Sequence, residues 1–392
     1  MEAPVRSRAS ARRAVHLAPR RGTSLVGAGA RADFSLAIHN RTGKYFIGRD
    51  LLDTADLPVG NVHYWRVAAA RPPTGLLGRV IGRLQLLHVQ GQALGGPLRL
   101  LPRRRSPRPL LHLDPFTVPT TVLRPIDAVL CHDVGPLSHP ELFDAHVCRL
   151  YRPIYDEIAR IGPHLIFVSE ASRRAFAQLY PDATPTSTRV IYPAIRSGLA
   201  GTPAAPVPGV ESPFLLTVGS LGDRKNQLRC IAAFARSGLA ARGVDYVLCG
   251  AREPGFEAVI AAAEATPGVI CLPYVSDAEL SWLYAHAAGF VLVSLLEGFG
   301  MPVAEAIDRG LVPLVSRDSV LHEVAGGGAL LADPEDVDEI ASAMTALATM
   351  TQEQRSQRYV SLRQASQRFE LVKIRDDWRA AFAEIVQAAA TA

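Results

Sequence analysis

Two glutamates, Glu297 and Glu305, flank a glycine-rich turn in the second half of the chain and are the first candidates for chemistry. The run 289–294 before them is apolar and β-branched, which predicts a buried parallel strand. Gly298 and Gly300 permit a tight turn between this strand and a following helix. The free backbone N–H groups of such a turn can hold an anion at the carboxyl edge of a sheet. We therefore expect both carboxylates to face a crevice whose ligand offers hydroxyl groups beside phosphates.

Two adjacent cations, Arg224 and Lys225, follow another predicted strand at 214–220 and stand where a helix is predicted to begin. Cations oppose the helix dipole at that end, so helix stability does not explain them. An anion clamp does, because one cation about 4 Å from a phosphate oxygen contributes roughly 4 kcal/mol before desolvation at an effective dielectric near 20. The alternative is that both are merely exposed loop residues.

His132 and Gly43 are the candidates in the first half of the chain. Residues 126–132 predict a strand that ends in His132, so its imidazole can face a crevice at the carboxyl edge of a sheet. Gly43 follows a first strand predicted at 34–39, and a glycine there lets the backbone approach a ligand. The residues around it resemble the end of a phosphate-binding loop, but Tyr45 stands where a serine or threonine would bind magnesium. A nucleoside triphosphatase is therefore not expected.

Strand-like and helix-like segments alternate along most of the chain, which predicts an α/β protein with parallel sheets and right-handed crossovers. With 392 residues the chain is too long for one compact core, so two doubly wound domains are expected. The predicted parts are a disordered basic tail at 1–32, a Rossmann-like domain at 33–196, a linker at 197–213, a second Rossmann-like domain at 214–366, and a C-terminal helix at 367–392 that crosses back onto the first domain.

Charge is divided unevenly between the two halves. Residues 1–200 hold 27 Lys+Arg and 14 Asp+Glu, whereas residues 201–392 hold 15 and 23. A basic half can attract nucleic acid, anionic lipid or a phosphorylated substrate, but no nucleic-acid-binding motif is present, so nucleic acid is not an expected partner. Leucines and arginines interleave in 71–108, and two interpretations remain open: a helix on an anionic membrane surface, or a solvated helix followed by a basic loop.

The sequence offers no run that approaches the roughly 18 apolar residues of a membrane-spanning helix. Its N-terminal stretch lacks the apolar core of a secretion signal. The five cysteines are odd in number and widely spaced, which favours buried free thiols in a reducing compartment. We expect a cytoplasmic protein, peripheral at the inner face of the plasma membrane under the first interpretation of 71–108.

The segments around Glu297 and Lys225 resemble those of the metal-independent retaining glycosyltransferases of group 1, or family 4. That family has the GT-B architecture, in which two Rossmann-like domains face each other across a central cleft. The likeness extends from residue 34 to the C-terminus and is strongest in 214–333, where Glu297 and Glu305 match the family's pair of glutamates. The resemblance implies that Glu297 contacts the donor sugar near its reacting carbon and that Glu305 binds the ribose hydroxyls.

The resemblance also assigns the phosphate and base contacts. Gly219 and Lys225 match the segment that binds the diphosphate, although Ser220 stands where many members carry an arginine, so Arg224 is expected to compensate. The residues Tyr274 and Val275 follow Pro273 in a segment whose backbone is expected to contact the nucleobase.

The remaining contacts of the family involve the glycine turn and the first domain. The backbone of residues Gly298, Phe299, Gly300 and Met301 is expected to meet the sugar and the diphosphate. His132 matches the histidine that contacts the transferred sugar.

The activity implied by the resemblance is retaining transfer of a hexose from a nucleoside-diphosphate sugar to a glycan or lipid-linked glycan in polysaccharide biosynthesis. Mannose from GDP-mannose is the first choice, because the pattern around Lys225 and Glu297 is similar to bacterial mannosyltransferases of surface polysaccharides. No metal and no cofactor are implied. The alternatives are a sugar-nucleotide epimerase, a phosphorylase, or a catalytically silent scaffold of a glycan-assembly complex.

Overall fold

The computed structural model describes residues 29–39, 43–54, 57, 59–195, 203–211, 213–272 and 274–391. Most of the predicted basic tail, part of the predicted linker and Pro273 lie outside the described residues. The described chain forms two α/β domains, each built on one sheet with helices packed against it.

The first domain contains a seven-stranded sheet in the order β3-β2-β1-β4-β5-β6-β7, in which β3 runs antiparallel to β2 and the other neighbours are parallel. Its strands are β1 (Ala30–Asp33), β2 (Val59–Tyr64), β3 (Val67–Ala68), β4 (Leu110–His112), β5 (Ala128–Cys131), β6 (His164–Phe167) and β7 (Ser187–Val190). Its helices are α1 (Gly43–Thr54), α2 (Gly75–Leu94), α3 (Gly135–Ser138), α4 (Ala145–Ile161) and α5 (Glu170–Leu179).

The second domain contains a six-stranded parallel sheet in the order β10-β9-β8-β11-β12-β13. Its strands are β8 (Phe214–Val218), β9 (Asp245–Cys249), β10 (Val269–Leu272), β11 (Gly289–Leu292), β12 (Pro313–Ser316) and β13 (Leu330–Ala332). The helices that follow β8 along the chain are α6 (Gln227–Ser237), α7 (Phe256–Ala265), α8 (Asp277–His286), α9 (Met301–Asp308), α10 (Val320–Ala325), α11 (Val337–Ala348), α12 (Gln352–Ser366) and α13 (Leu371–Thr391).

Each sheet has a point where the strand order reverses, between β1 and β4 in the first domain and between β8 and β11 in the second. Open α/β sheets bind ligands in the crevice outside the carboxyl ends of the strands at such a point. Strands β5, β6, β11 and β12 are buried along their whole length, which is why the sequence shows them as continuous apolar runs.

The predicted first strand at 34–39 is wrong. The strand β1 lies earlier, and Ser35–Ile38 forms a 3-10 turn, so the predicted tail at 1–32 also ends too late. Phe34 is buried beside the ring of Tyr45, with ring centroids 5.7 Å apart, so its apolar character serves the core from a loop. The strand is held by pairing with both β2 and β4, a tertiary effect that overrides weak local propensity.

The C-terminal helix α13 contacts the first domain. Trp378 and Phe382 are buried, and the Nε of Arg189 in β7 lies 2.8 Å from a carboxylate oxygen of Glu384. Across the described residues, no helix combines the length and the apolar character that a bilayer crossing requires.

Candidate active site

The glycine turn predicted to bind an anion connects β11 to α9 at the point where the second sheet reverses. Gly300 has a φ of 93°, in the left-handed region that favours glycine, and it caps the start of α9. A Cβ at Gly300 would lie 2.3 Å from a methyl carbon of Leu321. Met301 is the first residue of α9, and Phe299 is buried beneath the turn. Conformation and space therefore both require glycine at position 300.

Glu297 lies in this turn at the centre of a buried charge cluster. Its carboxylate forms an ion pair with the ammonium of Lys225, lies 3.4 Å from Nη1 of Arg224, and accepts a hydrogen bond of 3.0 Å from the hydroxyl of Ser294. Burial alone would raise the pKa of Glu297, but Lys225 and Arg224 outweigh it and hold that pKa below its ordinary value. Glu297 is therefore an ionised carboxylate shared by two cations.

Arg224 contacts a second carboxylate that the sequence analysis missed. Its Nη2 lies 2.8 Å from Oε1 of Glu253, and its Nη1 donates to the carbonyl of Leu296 at 3.0 Å. The second oxygen of Glu253 is buried without a hydrogen-bond partner among the described residues. Two cations and two carboxylates thus balance in this cluster, and a bound diphosphate would compete with Glu253 for Arg224. The position of Glu253, shortly after β9, was the signal that could have identified it.

The loops after β8 and β9 approach each other closely beside Lys225. Gly219 and Gly250 have φ values of 150° and 157°, and a Cβ at Gly250 would lie 1.8 Å from the carbonyl oxygen of Gly219. The Cε of Lys225 lies 3.9 Å from the position of a Cβ at Gly219. The structure therefore brings Gly219, Lys225 and Glu297 together at the carboxyl edge of the second sheet.

Glu305 lies in the middle of α9 and is only 6% exposed. The hydroxyl of Tyr284 in α8 donates to its carboxylate at 3.0 Å. The carboxylate assigned by resemblance to the ribose hydroxyls thus already has a hydrogen-bond partner from α8. Of the base-contact residues, Tyr274 is 85% exposed, while Val275 is partly buried against the core of the second domain.

Gly43, where the sequence predicts a close approach of the backbone to a ligand, lies at the start of α1. It is the exposed first residue of α1, and a Cβ there would meet no atom within 4 Å. Its neighbour Lys44 instead contributes chemistry that was not predicted. The ammonium of Lys44 lies 3.2 Å from Oδ2 of Asp114, and this ion pair outweighs burial and raises the pKa of Lys44.

Asp114 follows β4 at the reversal point of the first sheet and is fully buried. Its other oxygen, Oδ1, accepts a hydrogen bond of 2.8 Å from the amide of Phe116, which fixes the carboxylate at the start of a 3-10 turn. An acidic residue directly after the mostly apolar run 109–113 was the sequence signal that was overlooked. Lys44 and Asp114 form a polar pair on the first-domain side of the crevice.

His132 follows β5 and is 4% exposed. Its Nε2 lies 3.0 Å from the carbonyl oxygen of Leu113, which only accepts, so Nε2 carries the proton and Nδ1 remains an acceptor. The same Nε2 lies 3.9 Å from Oδ2 of Asp114. Burial lowers the pKa of His132, and the nearby charge of Lys44 lowers it further, so the imidazole is neutral at pH 7.

The glycine turn of the second domain contacts His132 of the first directly. A Cβ at Gly298 would lie 2.6 Å from the carbonyl oxygen of His132. The hydroxyls of Ser169 and Ser172 donate to the carbonyl of Gly298 at 2.8 and 3.3 Å, and Ser172 also donates to the carbonyl of His132 at 3.0 Å. The two domains therefore meet at the candidate site in a closed arrangement.

Glu323 of α10 forms a second contact between the domains. Its carboxylate accepts hydrogen bonds from the amides of Glu170 and Ala171 at the N-terminus of α5, and from the hydroxyl of Tyr192 at 3.0 Å. Within the residues that the structure describes, no group of three or more His, Cys, Asp or Glu side chains could hold a metal ion.

Comparisons with known proteins agree with this arrangement. The model of the family described as glycosyl transferases group 1 matches residues 204–362. The O-antigen chain mannosyltransferase B of Escherichia coli is 26% identical over 281 residues, which cover 68% of this chain and 72% of that protein. The O-antigen chain mannosyltransferase RfbU of Salmonella typhimurium is 26% identical over 213 residues, which cover 53% of this chain and 57% of that protein.

Solved structures show the same fold. An α,α-trehalose-phosphate synthase from Burkholderia xenovorans in complex with glucose-6-phosphate has a TM-score of 0.58 at 14% identity, covering 77% of this chain and 76% of that one. A trehalose-6-phosphate structure from E. coli bound with UDP-2-fluoro glucose has a TM-score of 0.56 at 16% identity, covering 80% and 79%. Identities this low show the fold alone. The shared fold confirms the predicted GT-B architecture.

Proposed function

We propose that the protein transfers a hexose, with mannose as the first choice, from a nucleoside-diphosphate sugar to a hydroxyl of a glycan or lipid-linked glycan. The proposal starts from the match between residues 204–362 and the model of the group 1 glycosyl transferases. The observation that carries the proposal is the cluster of Glu297, Lys225 and Arg224 at the reversal point of the second sheet, in contact with the His132 segment. Mannose and polysaccharide biosynthesis are supported by the two relatives that are O-antigen mannosyltransferases.

In the proposed mechanism, Lys225 and Arg224 stabilise the negative charge that develops on the leaving diphosphate. Both cations are held in place before the donor arrives, which avoids reorganisation during the reaction. Glu297 remains ionised beside them, so it can stabilise positive charge on the anomeric carbon of an oxocarbenium-like state. The two cations therefore stabilise the leaving group, and the carboxylate stabilises the sugar.

His132 contributes a neutral imidazole whose free Nδ1 can accept a hydrogen bond from a sugar hydroxyl. The bond between the anomeric carbon and the phosphate oxygen breaks, and a bond to the acceptor oxygen forms on the same face of the sugar. Because the new bond forms on the face that the diphosphate leaves, the configuration is retained, and the acceptor's proton passes to the departing phosphate oxygen. Lys44 and Asp114 line the first-domain side and are proposed to position the acceptor hydroxyl.

The reaction is proposed to need no metal, because the two cations supply the positive charge that a metal would otherwise provide. The proposed location is the cytoplasm. Free thiols at all five cysteines fit a reducing compartment.

The test is incubation of the purified protein with GDP-mannose, UDP-glucose and dTDP-glucose, following release of the nucleoside diphosphate with and without glycan acceptors or membrane extract. Glu297→Gln serves as the matched inactive control, because it keeps the size of the side chain and removes its charge. We expect release from one donor, dependent on acceptor and unaffected by a chelator, and an α-linked product by NMR. No release from any donor by folded protein would refute the proposal, and release abolished by chelator would refute metal independence.

The same assay separates the rival enzymes. An epimerase would convert the sugar nucleotide without an acceptor and without releasing a nucleoside diphosphate. A phosphorylase would require inorganic phosphate and release a sugar phosphate. A silent scaffold would show neither activity, and Lys225→Ala and Glu297→Ala would leave glycan assembly in cells unchanged.

A further inference from the structure

Helix α2 carries apolar side chains on its outer face. Leu76 is 71% exposed, Leu77 64%, Val80 49% and Leu84 38%. At 3.6 residues per turn, these four positions fall within about one third of the helix circumference. Exposed apolar side chains that are gathered on one face mark a contact surface, whereas scattered ones do not.

The opposite face of α2 is already packed, so the exposed leucines are not a core face that has failed to dock. Gln85 and Val89 are fully buried. The Oε1 of Gln85 lies 2.7 Å from Nε2 of His39, and a Cβ at Gly82 would lie 3.0 Å from a methyl carbon of Ile38. The helix is therefore packed against the domain through its inner face, and its outer apolar face remains exposed to solvent.

The segment of the chain that contains this face carries only positive charges. Residues 57–113 contain nine arginines and no lysine, aspartate or glutamate. Arg79 and Arg83 are exposed and lie one helical turn apart beside the apolar face. Two arginines further along, Arg103 and Arg104, are instead held in ion pairs with acidic residues of the first domain. An apolar face bordered by free arginines complements an anionic bilayer surface.

Helix α2 also borders the side of the cleft that is expected to receive the acceptor. It packs against the turns Ser35–Ile38 and Pro115–Thr120, which leave the carboxyl ends of β1 and β4. The second turn begins at Asp114, the partner of Lys44. A surface bound by α2 would therefore lie next to the first-domain wall of the cleft.

We propose that α2 seats the protein on a bilayer of anionic phospholipids, with its apolar face at the acyl boundary and Arg79 and Arg83 at the headgroups. This contact corresponds to the first interpretation of 71–108, a helix on an anionic membrane surface. Binding to the bilayer does not depend on catalytic activity. Its consequence, that a lipid-linked acceptor enters the cleft directly from the bilayer, rests on the proposed function. Nucleic acid would attract the arginines but would leave Leu76 and Leu77 without a role.

The test is sedimentation of the full chain with vesicles of phosphatidylcholine alone or mixed with phosphatidylglycerol, at low and high salt. We expect binding to the mixed vesicles, and Leu76→Gln combined with Leu84→Gln should weaken it at least tenfold. The matched control is Val360→Gln combined with Val372→Gln, which removes valines that are 69% and 70% exposed elsewhere on the protein and should leave binding unchanged.

The arginine variant Arg79→Gln combined with Arg83→Gln should lose about five-fold in binding per arginine at low salt and less at high salt. The basic residues 1–28 are present in every variant, so they cannot account for differences between variants. Binding by the leucine variant equal to that of the parent would overturn the proposal. So would a dimeric parent that becomes monomeric in the leucine variant, because the face would then be covered by a second copy of the chain.

Nucleoside-diphosphate release with a water-soluble acceptor is measured on the same proteins. The leucine variant should keep the parent's rate there, since the face lies outside the site. A parent that binds vesicles but releases no nucleoside diphosphate from any donor would leave the membrane contact standing and refute the proposed function. A leucine variant that loses the soluble reaction as well as vesicle binding would refute a separate docking surface.

Discussion

The carboxylate of Glu323 in the second domain accepts a hydrogen bond of 2.8 Å from the backbone amide of Glu170 in the first. Glu170 begins α5, whose first amides have no partner within the helix. A carboxylate at that end also interacts favourably with the helix dipole. Glu323 thus binds the first two amides of α5 from the other domain, beside the N-cap residue Ser169, and these bonds exist only while the cleft is closed.

Replacing Glu323 with glutamine should weaken closure. The variant keeps a hydrogen-bond acceptor but loses the charge at the N-terminus of α5, an interaction of about 0.3–1 kcal/mol at an exposed site and up to ~2 kcal/mol when partly buried. We expect kcat/KM to fall by roughly five- to thirty-fold and the radius of gyration in small-angle scattering to increase. Glu353→Gln, in the first turn of α12, removes a carboxylate from a helix start within one domain and should leave both measurements unchanged. Equal kinetics for the two variants would show that Glu323 does not control closure.

Gly298→Ala should separate activity from folding. Its Cβ would lie 2.6 Å from the carbonyl oxygen of His132, which is backbone and cannot turn aside, so the two domains would have to move apart. A displacement near 1 Å can reduce a rate by about 100-fold. We expect kcat to fall on that scale while the melting temperature changes little. Gly327→Ala is the matched control, since a Cβ there meets no atom within 4 Å. Unaltered kcat in Gly298→Ala would mean that catalysis does not need this contact.

The sequence predicted the second domain well because the central strands of its sheet are buried on both faces. The runs that form β8 and β11 are apolar and bounded by glycine, so their carboxyl ends, and with them Lys225 and Glu297, could be placed at one sheet edge. In contrast, β1 is Ala-Arg-Ala-Asp, a segment without a strand pattern that is stabilised by its two neighbours.

The partners of the site residues were beyond prediction for a related reason. Asp114 and Lys44 are 70 positions apart in the numbering and meet only because their elements pack together. Glu323 meets Glu170 across two domains, and no local pattern reports such a contact. Sequence spacing identified which side chains could do chemistry, whereas the tertiary fold determined which ones neutralise each other.

Substitutions of the buried pair Lys225 and Glu297 should have non-additive effects on the free energy of unfolding. Each substitution should abolish sugar transfer. Glu297→Met leaves both Lys225 and Arg224 without their shared carboxylate, and losing one partner of a buried pair costs about 3–5 kcal/mol of unfolding free energy. The double variant Lys225→Met, Glu297→Met should recover much of that stability, because an apolar pair of similar volume avoids the unpaired charge. Neither variant should transfer sugar.

Chemical denaturation of the wild type, both single variants and the double variant measures this coupling. The exposed pair Arg379 and Asp376 provides the control cycle, and its coupling should be below about 1 kcal/mol. Additive losses at Lys225 and Glu297 would contradict a direct stabilising contact between them. Recovery of activity in the double variant would contradict their assigned roles.

The first domain should lose stability as the pH falls from about 6.5 towards 3. Burial lowers the pKa of His112 from 6.5 to about 3, with the charges of Arg104 and Arg103 adding to the effect, and burial lowers that of His63 to about 4. At pH values between the lowered pKa of each folded histidine and 6.5, the unfolded chain binds more protons than the folded one. The contribution of these histidines to stability is therefore complete above pH 6.5 and declines below it. We expect the melting temperature to drop between pH 7 and pH 5, and His112→Gln to be less stable at pH 7 but to show a smaller drop. His139→Gln, which replaces an exposed histidine, is the control and should keep the parent's pH dependence. An equal drop in His112→Gln and the parent would exclude His112 as a source of the acid sensitivity.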